Sequence, residues 1–163
     1  MKRIVLALAL VSCGPGSPGG PNVSKMSGGL DTTPTEAKPS SSSVVSNDIL
    51  AREPVANHVQ IKHILIGWKD TDSHDPRDEQ RTKADAETMV RKVLDQLKGG
   101  ADFDQLMKED SEDPGSATTG HPYAVSPDAT VVIEFKQLGL RLKVGEIGVV
   151  QSDYGFHIMK RVE

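Results

Sequence analysis

Hydrophobic and polar residues follow different patterns before and after residue 58. The pattern from residue 58 onward predicts a folded domain. Three short runs rich in apolar and β-branched residues have the length of strands: Val59–Ile66, Ile147–Gln151 and Gly155–Arg161. Only three residues separate the last two runs, so we expect these two strands to form a hairpin.

Apolar residues at helical spacing predict three helices between the first strand and the hairpin. The longest begins at Thr82, which can form a capping box with Asp85, and ends at Gly99. Asp102 caps a short second helix, and a third helix covers Val132–Leu138. The order strand, helix, helix, loop, helix, strand, strand predicts an α+β fold in which helices pack on a small sheet.

The segment before this domain, residues 13–57, has the composition of a linker. It is rich in proline, glycine and serine and includes the serine run Ser40–Ser43. Such a segment buries too little apolar surface to offset the entropy of ordering it, so we expect a flexible tether. Its root-mean-square reach is on the order of 35–40 Å. The folded domain then covers residues 58–163.

Residues 1–12 have the pattern of a secretory signal, with basic Met1–Arg3 followed by apolar Ile4–Val11. That run is far shorter than the ~20 residues that span a bilayer. The sequence up to Cys13 resembles a bacterial lipobox, which implies cleavage before Cys13 and its acylation. Gly14 then favours the periplasmic face of the outer membrane over the inner membrane. An ordinary secretory signal with an incidental cysteine is the alternative.

Composition excludes two classes of protein. A formal net charge of −4 with 26% charged residues argues against a nucleic-acid-binding surface. The single cysteine has no partner for an intrachain disulfide, which excludes a disulfide-stabilised scaffold.

Two histidines, His63 and His157, lie in the middle of predicted strands between aliphatic neighbours. Neutral imidazoles that meet in a sheet can hydrogen-bond, one as donor and one as acceptor. They form either a satisfied core pair or part of a site, and the pattern alone leaves both open. No HxxH or HxH spacing indicates a metal site.

Acidic residues occur in two predicted loops. Asp113 precedes Pro114 and Gly115, which predicts a tight turn within a loop from 111 to about 130; Asp113 is then either a turn cap or a site carboxylate. The aspartates in the loop after the first strand lack the glycine and glutamate of a calcium-binding EF-hand loop, so a solvated loop is favoured. They are Asp70, Asp72, Asp75 and Asp78.

From about His58 to Glu163 the sequence resembles the parvulin family of peptidyl-prolyl cis-trans isomerases. The parts that carry the resemblance are Lys62–Ile66, Phe103–Leu106, Ser111–Asp113, Ile133–Phe135, Val144–Ile147 and Gly155–Ile158. The resemblance implies a parvulin-like small antiparallel sheet with packed helices. It also implies isomerisation of X-Pro bonds in exported proteins without a cofactor.

The resemblance also implies roles for particular residues. The two active-site histidines fall on His63 and His157, the acidic group beside them on Asp113, and a nearby hydroxyl on Ser152. The residues of the pocket for the proline ring are Pro122, Val131 and Phe135.

This chain departs from the family pattern in places. Gly120–Val125 differs from the usual glycine-rich segment, and Gly67 removes a basic group that phosphate-selecting members use. The first change favours an alternative function, a catalytically weak, lipid-anchored periplasmic chaperone that binds extended segments in the same groove. A purely structural envelope lipoprotein is a third hypothesis, and it leaves the two histidines unexplained.

Overall fold

The computed structural model describes residues 43–163, and its helices and strands are arranged around one four-stranded sheet. In chain order they are α1 (Asn47–Leu50), β1 (Val59–Ile66), α2 (Lys83–Lys98), α3 (Phe103–Asp110), α4 (Pro114–Thr119), β2 (Tyr123–Val125), α5 (Ile133–Gly139), β3 (Ile147–Ser152) and β4 (Gly155–Arg161). The predicted signal, Cys13 and the linker up to residue 42 lie outside the described residues.

The sheet has the strand order β2-β1-β4-β3, and each neighbouring pair is antiparallel. The first predicted strand and the predicted hairpin are confirmed, and they form the centre and one edge of the sheet. Leu65 pairs with His157, and His63 pairs with Met159. Because residues two apart on a strand share a face, this register brings His63 and His157 to the same face of the sheet as diagonal neighbours.

Alternate residues of the central strands supply two apolar clusters, one on each face of the sheet. The cluster beneath α2 and α3 includes Ile64, Ile66, Val90, Phe103, Met107, Phe156 and Ile158. The cluster on the histidine face includes Ile61, Phe135, Leu138, Leu142, Val150 and Met159. Since β1 and β4 are covered on both faces, most of their residues are buried, including the two histidines.

The helix starts that the sequence predicts are confirmed by their hydrogen bonds. Thr82 Oγ1 accepts from the Asp85 amide at 3.2 Å, and the Asp85 carboxylate accepts from the Thr82 amide at 3.1 Å, so the capping box is complete. Asp102 caps α3 by accepting from the Gln105 amide at 2.9 Å. These caps fix where α2 and α3 begin. The two helices cover the face of the sheet opposite the histidine face.

The loop predicted from 111 to 130 is wrong in part, because it contains α4 and β2. The tight turn predicted at Pro114 and Gly115 is instead the first turn of α4, with Asp113 as its N-cap. Proline suits the first position of a helix as well as a turn. The backbone N–H that proline lacks would have no hydrogen-bond acceptor within the helix at that position. β2 has only three residues, which is too short for a period of two to be recognised in sequence.

The folded unit also begins earlier than the composition predicts. Val44 and Ile49 are buried, with 9% and 4% of their surface exposed, although both lie in the segment interpreted as linker. Ser46 binds the edge strand β3 twice: its amide donates to the Val149 carbonyl at 2.9 Å, and its Oγ accepts from the Val149 amide at 3.0 Å. Residues 44–50 are therefore part of the domain.

None of the helices in the region 43–163 is both long and apolar enough to cross a lipid bilayer.

Candidate active site

Four polar side chains form one continuous row of hydrogen bonds on the histidine face of the sheet. Ser152 Oγ lies 2.7 Å from His157 Nε2, and His157 Nδ1 lies 3.3 Å from His63 Nδ1. His63 Nε2 lies 3.2 Å from Asp113 Oδ2 at the other end. The structure thus brings together the four polar residues that the sequence singled out.

The charge of Asp113 fixes the direction of its own hydrogen bond with His63. An ionised carboxylate only accepts, so His63 Nε2 carries a proton and donates to it. In the arrangement where both imidazoles are neutral, His63 Nδ1 accepts from the Nδ1–H of His157. This leaves His157 Nε2 as the acceptor for the Ser152 hydroxyl. Both imidazoles are satisfied in the neutral state, which explains how two histidines are buried with about 5% of their surface exposed.

The surroundings lower the pKa values of two groups in this row, Asp113 and His157, for different reasons. Burial raises the pKa of Asp113, but hydrogen bonds from His63 and Ser116 outweigh it and hold that pKa well below its ordinary value. Burial, reinforced by the neighbouring His63, lowers the pKa of His157 to about 3. At neutral pH Asp113 is therefore ionised and His157 is uncharged.

Asp113 is held in place by the element that it caps. Its Oδ2 accepts from the Ser116 amide at 2.7 Å, which fixes the carboxylate at the start of α4. The same oxygen accepts from the Tyr123 hydroxyl at 2.9 Å. The interpretation of Asp113 as a cap is therefore confirmed, and the same carboxylate also contacts His63.

An open, mainly apolar cleft of about 420 Å³ lies above this row of side chains. The Phe135 ring meets both imidazoles edge-to-face, with ring centroids 5.0 Å from His63 and 5.6 Å from His157. The cleft is lined by His63, Leu65, Asp113, Tyr123, Thr130, Val131, Val132, Phe135, Tyr154 and His157. Its size and lining suit a small apolar ring next to a polar group.

The structure places most of the predicted pocket residues at this cleft. Val131 and Phe135 line it, and Ser152 lies behind His157 without lining it. Pro122 is not among the lining residues; its neighbour Tyr123 faces the cleft instead. Tyr123 faces the cleft because it pairs with Ile61 in the sheet. This register turns the Tyr123 side chain toward the histidine face.

Sequence reasoning missed two tyrosines of the cleft, Tyr123 and Tyr154. Tyr154 lies in the β3–β4 turn, with 43% of its surface exposed. An aromatic residue in the predicted hairpin turn, in a chain with only 4% aromatic residues, was an available signal for Tyr154. For Tyr123 the available signal was an aromatic residue in a segment that departs from the family pattern.

A second polar cluster fixes the end of β1 next to the cleft. The buried Glu112 carboxylate accepts from the Gly67 amide at 2.6 Å and from Arg81 at 2.5 Å. Arg81 also donates to the Gly67 carbonyl and to Asp78. A Cβ atom at Gly67 would lie 2.4 Å from Asp78 Oδ2, so a larger residue there would have to displace the Asp78 side chain. This cluster holds the loop after β1 against the Ser111–Asp113 segment.

The solvated loop predicted for the four aspartates is wrong for one of them. Asp78 is buried and pairs with Arg81 at 3.0 Å, whereas Asp70 and Asp72 are exposed and Asp75 pairs with Arg77. Burial, next to the Glu112 carboxylate, raises the pKa of Asp78 to about 7. Within residues 43–163 no group of histidine, cysteine or acidic side chains is arranged to hold a metal ion.

Comparison with known proteins identifies a family for this arrangement. The family model described as a PPIC-type PPIase domain matches residues 47–163. The chain is 41% identical over 75 residues to the foldase protein PrsA of Geobacillus kaustophilus, a match that covers 45% of this chain and 27% of that protein. It is 32% identical over 108 residues to the chaperone SurA of Pseudomonas aeruginosa, covering 65% of this chain and 24% of that protein.

Solved structures have the same fold. The peptidyl-prolyl isomerase ESS1 from Candida albicans superposes with a TM-score of 0.58 at 21% identity, covering 66% of this chain and 63% of the other. PrsA from Bacillus cereus superposes with a TM-score of 0.50 at 27% identity, covering 74% and 39%. This chain spans about a quarter of the length of the foldase and chaperone relatives that it matches.

Proposed function

This chain belongs to the family of PPIC-type PPIase domains, and we propose that it is a peptidyl-prolyl cis-trans isomerase that assists the folding of exported proteins. One observation carries the proposal: the hydrogen-bonded histidine pair lies with Asp113 and Phe135 around a single apolar cleft. The cleft offers an apolar wall for a proline ring beside fixed polar groups for the adjoining amide.

The reaction needs no covalent step, because the barrier is rotation about a partial double bond. That barrier is ~18–20 kcal/mol, and X-Pro bonds isomerise unaided in tens to hundreds of seconds. Catalysis requires only that the site bind the twisted amide better than either planar form. In our proposal Phe135 and Val131 hold the pyrrolidine ring while the preceding carbonyl swings past the polar row.

The polar row acts as a preorganised electrostatic surface. In the twisted amide, resonance is lost and the nitrogen recovers its lone pair, so its hydrogen-bonding demands differ from those of the planar amide. His63, His157 and Ser152 are already oriented by one another and by Asp113, so they need no rearrangement to meet those demands. Since His157 stays neutral, the row supplies fixed dipoles, and general acid–base transfer is not required.

The substrates we propose are unfolded or partly folded exported proteins that contain X-Pro bonds. The names of the relatives, foldase and chaperone, support this class of substrate. The signal-like N-terminus and the lipobox resemblance at Cys13 support a lipid-anchored position in the bacterial envelope, and the outer membrane's periplasmic face is the side we propose. Residues 14–42 would then connect the lipid anchor to the domain.

A protease-coupled isomerisation assay on a short X-Pro peptide tests the proposal. We expect the chain to accelerate isomerisation. Phe135→Ala should reduce kcat/KM about tenfold or more, because the proline ring of the substrate loses its apolar wall. Ile133→Ala is the matched control: Ile133 lies on the same helix but has 56% of its surface exposed, and it does not line the cleft. A rate equal to the uncatalysed one contradicts the proposal.

The chaperone relative and the altered Gly120–Val125 segment favour a second candidate, a catalytically weak module that binds peptides in the same cleft. This candidate predicts suppression of client aggregation by the wild type without acceleration of the X-Pro peptide. Loss of that suppression in Phe135→Ala, again with Ile133→Ala as control, would assign the binding to the cleft.

A further inference from the structure

Tyr123 contacts three other groups of the site: Asp113, His63 and Phe135. Its hydroxyl donates to Asp113 Oδ2 at 2.9 Å. Its ring packs edge-to-face against His63 and Phe135, with centroids 5.2 and 6.0 Å away and interplanar angles of 75° and 70°. The same ring lines the cleft. One side chain therefore touches the carboxylate, an imidazole and the apolar wall.

The position of this hydroxyl depends on a glycine across from it. A Cβ atom on Gly115 would lie 2.6 Å from the Tyr123 hydroxyl oxygen, which is closer than real contacts allow. The next nearest atoms, Asp113 Oδ2 and Tyr123 Cζ, would lie at 3.3 and 3.7 Å. The severe clash is thus with the hydroxyl alone, and a phenylalanine at position 123 would relieve it, leaving an alanine at position 115 in tight contact with Asp113 Oδ2.

We propose that Tyr123 is a specificity-determining and positioning residue: its ring forms one wall of the prolyl pocket, and its hydroxyl, admitted by Gly115, orients Asp113 toward His63. The inference rests on the proposed isomerase function for the role of the ring. The orientation of Asp113 is a separate property of the fold.

The chemistry of the contact favours this role. Asp113 Oδ2 receives the Ser116 amide, the Tyr123 hydroxyl and His63 Nε2, so removing one donor leaves the carboxylate freer to turn away from the imidazole. Burial and the hydrogen bond to Asp113 raise the pKa of Tyr123 to about 12, so the hydroxyl keeps its proton and donates throughout the neutral range. Tyr123 thus acts on the polar row through Asp113.

Removal of the hydroxyl alone separates its two roles. In Tyr123→Phe the ring stays, so we expect KM for a short X-Pro peptide to remain within about twofold. We expect kcat to fall about tenfold, as for loss of one hydrogen bond to a charged group. Tyr123→Ala should also raise KM. Ser126→Ala is the matched control, because it removes a hydroxyl just after β2 that bonds only to Asp128. An unchanged kcat in Tyr123→Phe overturns the positioning role.

A double-mutant cycle tests the contact with Gly115 directly. We expect Gly115→Ala to lower kcat and the melting temperature in the tyrosine background, and to have little effect in Tyr123→Phe, so the two changes are strongly non-additive. Equal effects of Gly115→Ala in both backgrounds overturn the proposed contact. The second background keeps the test valid even if Gly115→Ala alone folds poorly.

A spectroscopic readout distinguishes failure of this inference from failure of the isomerase proposal. The side-chain ¹⁵N shifts of His63 and His157 at neutral pH report which ring nitrogens are protonated. We expect Tyr123→Phe to change the His63 shifts and Ser126→Ala to leave them unaltered. If the wild type does not isomerise the peptide but these shifts still respond to Tyr123→Phe, the isomerase proposal fails and the positioning role stands. Shifts that do not respond overturn the positioning role.

Discussion

At the scale of single residues, Asp113 combines a structural and a chemical task that can be separated by substitution. Its carboxylate caps α4 through the Ser116 amide and also accepts from His63 and Tyr123. Asparagine is as good an N-cap as aspartate and keeps an acceptor oxygen, but it carries no charge. Alanine removes the cap and leaves three donors without their acceptor.

We expect Asp113→Asn to fold with a free energy of unfolding within about 1 kcal/mol of the wild type, because the cap is kept. Its isomerase activity should fall about tenfold, since a neutral amide no longer fixes the donor direction of His63. Asp113→Ala should lose activity and also about 2–3 kcal/mol of stability. Urea unfolding and the peptide assay check both. If Asp113→Asn kept full activity, the charge would have no part in catalysis.

At the scale of secondary-structure elements, α1 and the residues before it cover the free edge of the sheet at β3. Ser46 occupies both backbone groups of Val149 on the edge strand β3, which would otherwise be open to pairing with another chain. Arg52 pairs with Glu146 at 2.7 Å, and Arg141 donates to the Arg52 carbonyl. Residues 44–52 therefore close one edge of the domain.

Ile49→Ala tests whether this segment belongs to the folded core. Ile49 is 4% exposed and contacts the cluster around Leu138 and Leu142, so its truncation should destabilise the protein by about 2–5 kcal/mol. Val55→Ala is the control, because Val55 is 50% exposed and should change the stability by less than about 0.5 kcal/mol. Urea midpoints that shift equally for both variants would mean that the segment is not part of the core.

The sequence predicts those elements whose own side chains carry a periodic signal. Thr82 and Asp85 mark the start of α2 locally, and the strand around His63 and its partner around His157 are long enough for their composition to be read. The start of the domain at Val44 was not predictable, because its order comes from contacts with a strand about one hundred residues away. Tyr123 was missed for a similar reason: its place in the cleft depends on pairing with Ile61.

At the scale of the whole molecule, the lipid anchor is a prediction that can be tested independently of catalysis. Cys13→Ser should move the protein from the membrane fraction to the soluble fraction of a producing bacterium, because the acyl chains supply the membrane affinity. The purified variant should keep the peptide activity of the domain, since Cys13 lies well before residue 43. Membrane association that persists in Cys13→Ser would contradict the lipoprotein interpretation.

The buried histidine row should also make the stability of the whole fold sensitive to mild acid. Burial and His63 lower the pKa of His157 to about 3, from an ordinary value of 6.5. As the pH falls below about 6.5, the unfolded chain binds a proton at His157 and the folded chain does not, so the contribution of His157 to stability decreases until the folded pKa is reached. Asp78 contributes in the opposite sense, because its raised pKa lets the folded chain bind a proton there first, and the comparison with a His157 variant therefore isolates the histidine. The loss is up to about 1.4 kcal/mol per pH unit.

Urea unfolding at several values between pH 7 and pH 4.5 measures this contribution. The wild type should lose about 2–3 kcal/mol more than His157→Asn across that range, because asparagine binds no proton in either state. Exposed His121 serves as control, and His121→Asn should follow the wild-type curve. Asp113 does not affect the comparison over this range. Its pKa is lowered in the folded chain, so its contribution to stability is lost only as the pH falls through the ordinary carboxyl value of 3.8. Parallel curves for the wild type and His157→Asn would mean that folding does not lower the pKa of His157, and the uncharged His157 proposed for catalysis would then be wrong.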